Sequence, residues 1–144
     1  MEGSPAWAKT ITVDDIDRSG VLLLVEDDTS VRELARRSLE AAGYTVLAAE
    51  NGDQAVRASE RWGERIDVLV TDIAMPGIHG VELAARIRQQ RPDIQVVFAS
   101  GFGPGAVNGN GVRAAGAFLP KPYSGMALCR VVARAVDTGR GIAP

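Results

Sequence analysis

The chain has one cysteine, Cys129, and one histidine, His79, in 144 residues. A lone thiol excludes an internal disulfide framework and any cysteine-cluster zinc site. No apolar run approaches the roughly 18 residues needed to cross a bilayer. The first residues, Met1-Glu2-Gly3-Ser4-Pro5, lack the basic and apolar regions of a secretory signal. A large excess of either charge is also missing, with 16 basic and 18 acidic residues. The formal net charge is −2, whereas a general nucleic-acid binder carries a basic face. These absences point to a soluble protein of a reducing compartment, most simply the cytoplasm. They leave no direct nucleic-acid binding and no membrane insertion to expect.

What is present is alternation. With 46% hydrophobic and 24% charged residues, the chain suits one domain with a real core. Residues 1–20 hold no sustained period and contain Gly3, Pro5, Gly20 and the cluster Asp14-Asp15-Ile16-Asp17, as expected of a flexible tail or linker. From Val21, short apolar runs at 21–25, 44–48, 66–71, 94–99 and 117–119 read as strands. Between the first two, Val31, Leu34, Ala35, Ser38 and Leu39 form the stripe of a core-facing helix. Asp28 or Thr29 suits its N-cap, and Gly43 suits the left-handed position that ends it. A second helix follows Asn51-Gly52 to about Trp62, which closes it against the sheet. A third begins near Gly80, turns Leu83, Ala84 and Ile87 inward, and stops before Pro92. The last runs from Ser124 to about Asp137 with Leu128, Val131, Val132 and Ala135 on one face, leaving 138–144 as a tail.

The fourth connection is different. Gly101, Gly103, Pro104, Gly105, Gly109 and Gly111 lie there, and each interior glycine costs a helix about 1 kcal/mol relative to alanine. A loop with a short or frayed helix near Val112 to Ala115 is expected. The repeated β-α pattern implies a parallel sheet with helices on both faces and right-handed crossovers. In such sheets ligands bind beyond the carboxyl ends of the strands.

Those ends carry the chemistry. Glu26-Asp27 follows the first strand, Asp72 the third, Ser100 the fourth and Lys121-Pro122 the fifth. Three carboxylates at one edge repel, by about 4 kcal/mol for a pair about 4 Å apart at an effective dielectric of 20. A divalent cation relieves that repulsion, and Mg²⁺ suits an all-oxygen set that leaves room for phosphate oxygens. Metal, carboxylate and lysine together suggest phosphoryl transfer.

Over roughly residues 20–137 the sequence resembles the receiver domain of bacterial two-component response regulators, most closely the receivers at the C-termini of hybrid histidine kinases. The matching pieces are Val25-Glu26-Asp27-Asp28, Thr71-Asp72-Ile73-Ala74-Met75-Pro76-Gly77 with Gly80, Phe98-Ala99-Ser100-Gly101, and Gly116-Ala117-Phe118-Leu119-Pro120-Lys121-Pro122-Tyr123. The resemblance implies a flavodoxin-like (βα)5 fold with a five-stranded parallel sheet in the order 2-1-3-4-5. It makes Asp72 the phosphoacceptor, attacking a phosphohistidine. Glu26 and Asp27 become the acidic pair for Mg²⁺, with Asp72 and the backbone carbonyl of Ala74 completing the protein ligands. Lys121 and Ser100 meet the phosphoryl oxygens, and Phe118 follows the movement of Ser100. A cis peptide at Lys121-Pro122 is also implied. The switch rests on the roughly −1.5 to −2 charge that phosphorylation adds. The implied partner is a sensor histidine kinase or a histidine phosphotransfer protein, and the implied state a monomer or weak dimer. Such a domain catalyses only its own phosphorylation and dephosphorylation. Two past Asp72 stands Ala74, and two past Ser100 stands Phe102; neither positions a water, so a long-lived phosphoryl group is expected.

Other readings fare worse. A haloacid dehalogenase-type phosphohydrolase needs an Asp-x-Asp pair, and Asp72 is followed by Ile73-Ala74. Gly101-Phe102-Gly103-Pro104-Gly105-Ala106 fits a dinucleotide loop, but Lys121 stands where that motif needs an acid. A phosphorylation-independent pseudo-receiver, acting only as an interaction module, is the remaining alternative. His79 is expected exposed in a turn, Cys129 buried or half-buried, and Trp7 docked from the tail.

Overall fold

The computed structural model describes residues 20–101 and 116–141. The tail with Trp7, the residue Phe102 and the expected short helix near Val112 to Ala115 lie outside the described residues. Five strands, β1 (Val21–Val25), β2 (Thr45–Ala49), β3 (Val68–Asp72), β4 (Gln95–Ser100) and β5 (Ala117–Pro120), form one sheet in the order β2-β1-β3-β4-β5. Every pairing is parallel. Among the described residues the helices are α1 (Thr29–Ala41), α2 (Gly52–Arg61), α3 (Gly80–Gln90) and α4 (Gly125–Gly139). This is the order and architecture expected from the sequence.

The strands are apolar throughout because both faces are covered, so alternate residues go to two separate cores. Leu23, Val25, Leu69, Val96 and Phe98 point to the side closed by Ala55 of α2 and Leu83, Ala84 and Ile87 of α3. Leu22, Leu24, Val68, Val70, Val97 and Leu119 point to the side closed by Ala35 and Leu39 of α1 and Leu128, Val132, Ala135 and Val136 of α4. Trp62 packs against the first core. The stripe of α1 is narrower than its periodicity predicts: Leu34 is 54% exposed. It sits at the margin of the inward face, where only Ala35 and Leu39 are buried. In α4, Leu128, Val132 and Ala135 are buried as expected, Val131 packs half-buried against the same core, and Val136 joins them.

Local chemistry sets the helix ends. Asp28 caps α1, accepting from the Val31 N–H at 3.0 Å, and Gly43 beyond its end has φ +103°. Asn51 caps α2 and Ser124 caps α4 in the same manner. His79 is exposed and caps α3 through Nδ1. Arg91 closes the other end of α2: its guanidinium donates to the carbonyls of Ser59, Trp62 and Glu64 at 2.8, 2.6 and 2.7 Å. Ser59 is in the last turn of α2 and Trp62 and Glu64 lie just past its end, so the cation also meets the negative end of the helix dipole.

A buried carboxylate, Asp67, ties together the rim opposite the strand ends that carry Glu26 and Asp72. It accepts from the Val21 N–H at 3.0 Å. It also pairs with Arg65 at 3.1 Å and with Arg140, past the end of α4, at 3.3 Å.

Candidate functional site

Four side chains meet at the carboxyl edge of the sheet. Glu26 follows β1, Asp72 is the last residue of β3, and Lys121 follows β5. Lys121 Nζ lies 2.7 Å from a Glu26 oxygen and 3.0 Å from an Asp72 oxygen. One carboxylate oxygen from each of Glu26, Asp27 and Asp72 lies within 4.8 Å of the others. Glu26 and Asp72 are buried and Asp27 is exposed, so the cluster opens to solvent on one side.

The main chain fixes this arrangement. The Glu26 N–H donates to Ala49 O at 3.1 Å, and the Ile73 N–H to Ala99 O at 3.0 Å, prolonging the ladders past the strand ends. The Asp28 N–H donates to the second Glu26 oxygen at 3.1 Å. Gly80, the first residue of α3, donates to Ile73 O at 2.8 Å. A methyl group on Gly80 would overlap the Asp72 carbonyl oxygen and fall 2.8 Å from Ile73 Cα. The neighbour is backbone and cannot turn away. Gly80→Ala is therefore expected to cost about 2–3 kcal/mol of stability, read by urea denaturation. An unchanged midpoint would refute this close approach.

The electrostatics are unbalanced. If ionised, three carboxylates face one ammonium, and each acid pair, within 4.8 Å, repels by at least about 3 kcal/mol at an effective dielectric of about 20. Burial pushes the Glu26 carboxyl above the ordinary range, although Lys121 and the Asp28 N–H pull it down. Burial opposes the Lys121 ammonium, but its bonds to Glu26 and Asp72 outweigh this and hold its pKa above the usual lysine value. The two shifts differ in what they say of the pair. Lysine gains from both acids, whereas Glu26 also feels Asp72. Tyr123, beside Lys121, is pushed up to about 12 by burial and then by Glu26, so it stays a neutral phenol.

Of the other expected residues, Ser100 is buried as the last residue of β4, and its carbonyl accepts from the Lys121 N–H at 2.8 Å. Phe118 pairs in register with Phe98 and is half-buried against the α2/α3 core. Two-residue periodicity puts Ser100 and Phe118 on the same face of neighbouring strands. Ala74 is exposed in the loop after β3, and the Lys121-Pro122 peptide is cis. Asp72 and Ser100 each close a strand rather than follow it, one residue from their expected positions. Sequence reasoning gave no role to Arg32, whose guanidinium reaches back from α1 to the Glu26 carbonyl at 2.8 Å. Its spacing from Asp28 suggests only a helix ion pair, so no local signal reveals that contact.

A family model, the response regulator receiver domain, matches residues 22–133. The chain belongs to that family. The receiver domain is 37% identical over 127 residues to the sensor kinase CckA of Brucella abortus (strain 2308), covering 85% of this chain and 13% of CckA. It is 39% identical over 87 residues to the response regulator receiver protein CpdR of the same strain, covering 60% of this chain and 71% of CpdR. Among solved structures, it matches the receiver domain from hybrid histidine kinase CckA with a TM-score of 0.69 and 36% identity. That match covers 81% of this receiver and 99% of the other. This receiver thus spans only a small part of the sensor kinase. Among the described residues, no helix is long and apolar enough to cross a membrane.

Proposed function

We propose that this receiver accepts a phosphoryl group on Asp72 from a phosphohistidine of a sensor histidine kinase or histidine phosphotransfer protein. One observation carries the reading: three carboxylate oxygens lie within 4.8 Å of one another, with Lys121 bridging two of the acids. The cluster's excess negative charge and all-oxygen donors fit Mg²⁺. Glu26, Asp27, Asp72 and the Ala74 carbonyl would hold it. When bound, the ion supplies charge neutralisation at the phosphoryl oxygens. An Asp72 oxygen forms the new bond to phosphorus as the P–N bond breaks, and the imidazole leaves with the electron pair. Lys121 then moves from the acids to a phosphoryl oxygen as a point charge. Ser100 donates its hydroxyl to another, and Phe118, on the same sheet face, shifts into the space that movement opens.

Residues 21–137 form the phosphoaccepting domain, with 1–20 as an N-terminal tail or linker and 138–144 as a C-terminal tail. The domain works in the cytoplasm as a monomer or weak dimer and turns over no substrate beyond its own acyl phosphate. Similarity to a receiver from a hybrid histidine kinase supports the class of partner.

Acetyl phosphate with Mg²⁺ tests the reading by intact-protein mass. The expected result is a gain of one phosphoryl group, absent when EDTA is present from the start. No gain under any divalent ion would favour the pseudo-receiver instead.

A further inference from the structure

All four polar groups of Glu26 are engaged. Its N–H goes to Ala49, its two carboxylate oxygens to Lys121 and the Asp28 N–H, and its carbonyl to Arg32 NH1 at 2.8 Å. That carbonyl belongs to the peptide that leads into Asp27. A peptide is planar, so rotating this C=O also rotates the Asp27 N–H and swings its Cα–Cβ bond. Asp27 is the exposed member of the acid cluster, two residues past the end of β1 and beyond the strand pairings, which stop at Val25. Its place is therefore set by its neighbours. Asp28 is held as the cap of α1, and the Arg32 N–H bonds to Asp28 O at 2.9 Å. Arg32 thus closes a loop: its backbone holds the helix start and its side chain holds the strand end.

We infer that Arg32 is a positioning residue for Asp27, fixing the Glu26–Asp27 peptide so that the Asp27 carboxylate stays with those of Glu26 and Asp72. This rests on reading the acid cluster as a cation site. A cationic guanidinium near a divalent ion repels it, so loss of charge alone tightens binding. Loss of positioning loosens it. The sign of the change therefore separates the two roles.

The test is calorimetric titration of the whole chain with Mg²⁺ alone. Arg32→Met, which removes both charge and donor, is expected to weaken binding about tenfold or more, the range seen when groups supporting metal ligands are lost. Arg32→Lys, which keeps a donor, recovers part of that affinity. In the metal-free protein, the Asp27 amide ¹⁵N signal is expected to move in Arg32→Met, because its peptide loses a hydrogen bond. If Arg32→Met does not fold, Arg32→Lys carries the test with an intermediate loss and the same signal. Equal or tighter binding by the variants, with the wild type saturating normally, overturns the inference and leaves the cation reading intact. A wild type that does not bind Mg²⁺ overturns that reading, and the inference with it.

Discussion

Asp72→Ala is expected to abolish phosphorylation completely, leaving no mass gain from acetyl phosphate and Mg²⁺ under conditions that modify the wild type fully. The expectation follows from position rather than residue type. Asp72 is buried at the end of a central strand, 3.0 Å from Lys121, with Glu26 and Asp27 oxygens within 4.8 Å. Glu26 shares Lys121 but has its other oxygen held by the Asp28 N–H, so neither of its oxygens is left to attack. Asp27 is exposed and lacks the lysine. The fold should persist, because removing one of three crowded acids relieves repulsion while Lys121 keeps Glu26. A persistent gain of one phosphoryl group on folded Asp72→Ala would place the acceptor elsewhere and end this reading.

Lys121→Met should unfold the protein more readily, by about 2–3 kcal/mol at neutral pH without divalent ions. Breaking a buried pair costs more than the pair contributes, because the remaining charges stay buried without a counterion. Here two acids lose their shared partner at once. The figure sits below the fully buried case because the Lys121 side chain is 20% exposed. The pH dependence has a definite sign. Lysine with a raised folded pKa contributes stability that is fully present below its ordinary value and lost as pH rises through the folded one. That loss occurs on the alkaline side. On the acid side, Glu26 has a raised folded pKa, so it protonates before an ordinary carboxylate as pH falls. The deficit of Lys121→Met should then shrink. Urea titrations at several pH values check both limbs, and saturating Mg²⁺ should narrow the gap as well. A gap indifferent to pH and Mg²⁺ would show that packing, not charge, holds this corner together.

Much of this was legible in the sequence because the relevant signals are local. Continuous apolar runs reveal strands covered on both faces, and caps such as Asp28 and Gly43 act within one turn. The acids converge because parallel strands deliver their carboxyl ends to one edge. The errors are local too. Ile66 and Asp67 are buried, so the third run begins early, yet the strand starts at Val68. Leu34 fits the helical period but lies off the packed face. What remained hidden depends on distant pairs. Arg91 serves carbonyls about thirty residues earlier, and Arg140 reaches Asp67 across the chain. Hydrophobic periodicity carries no information about where a guanidinium ends.

The Asp67 carboxylate has one more consequence. It grips the backbone where the first strand starts and a side chain just past the last helix, so the chain arrives and departs at neighbouring points. The clustered carboxylates of Glu26, Asp27 and Asp72 lie at the far pole of the sheet. A domain laid out in this way can be spliced into a loop of a larger protein without prising that host apart, and its chemistry still faces outward.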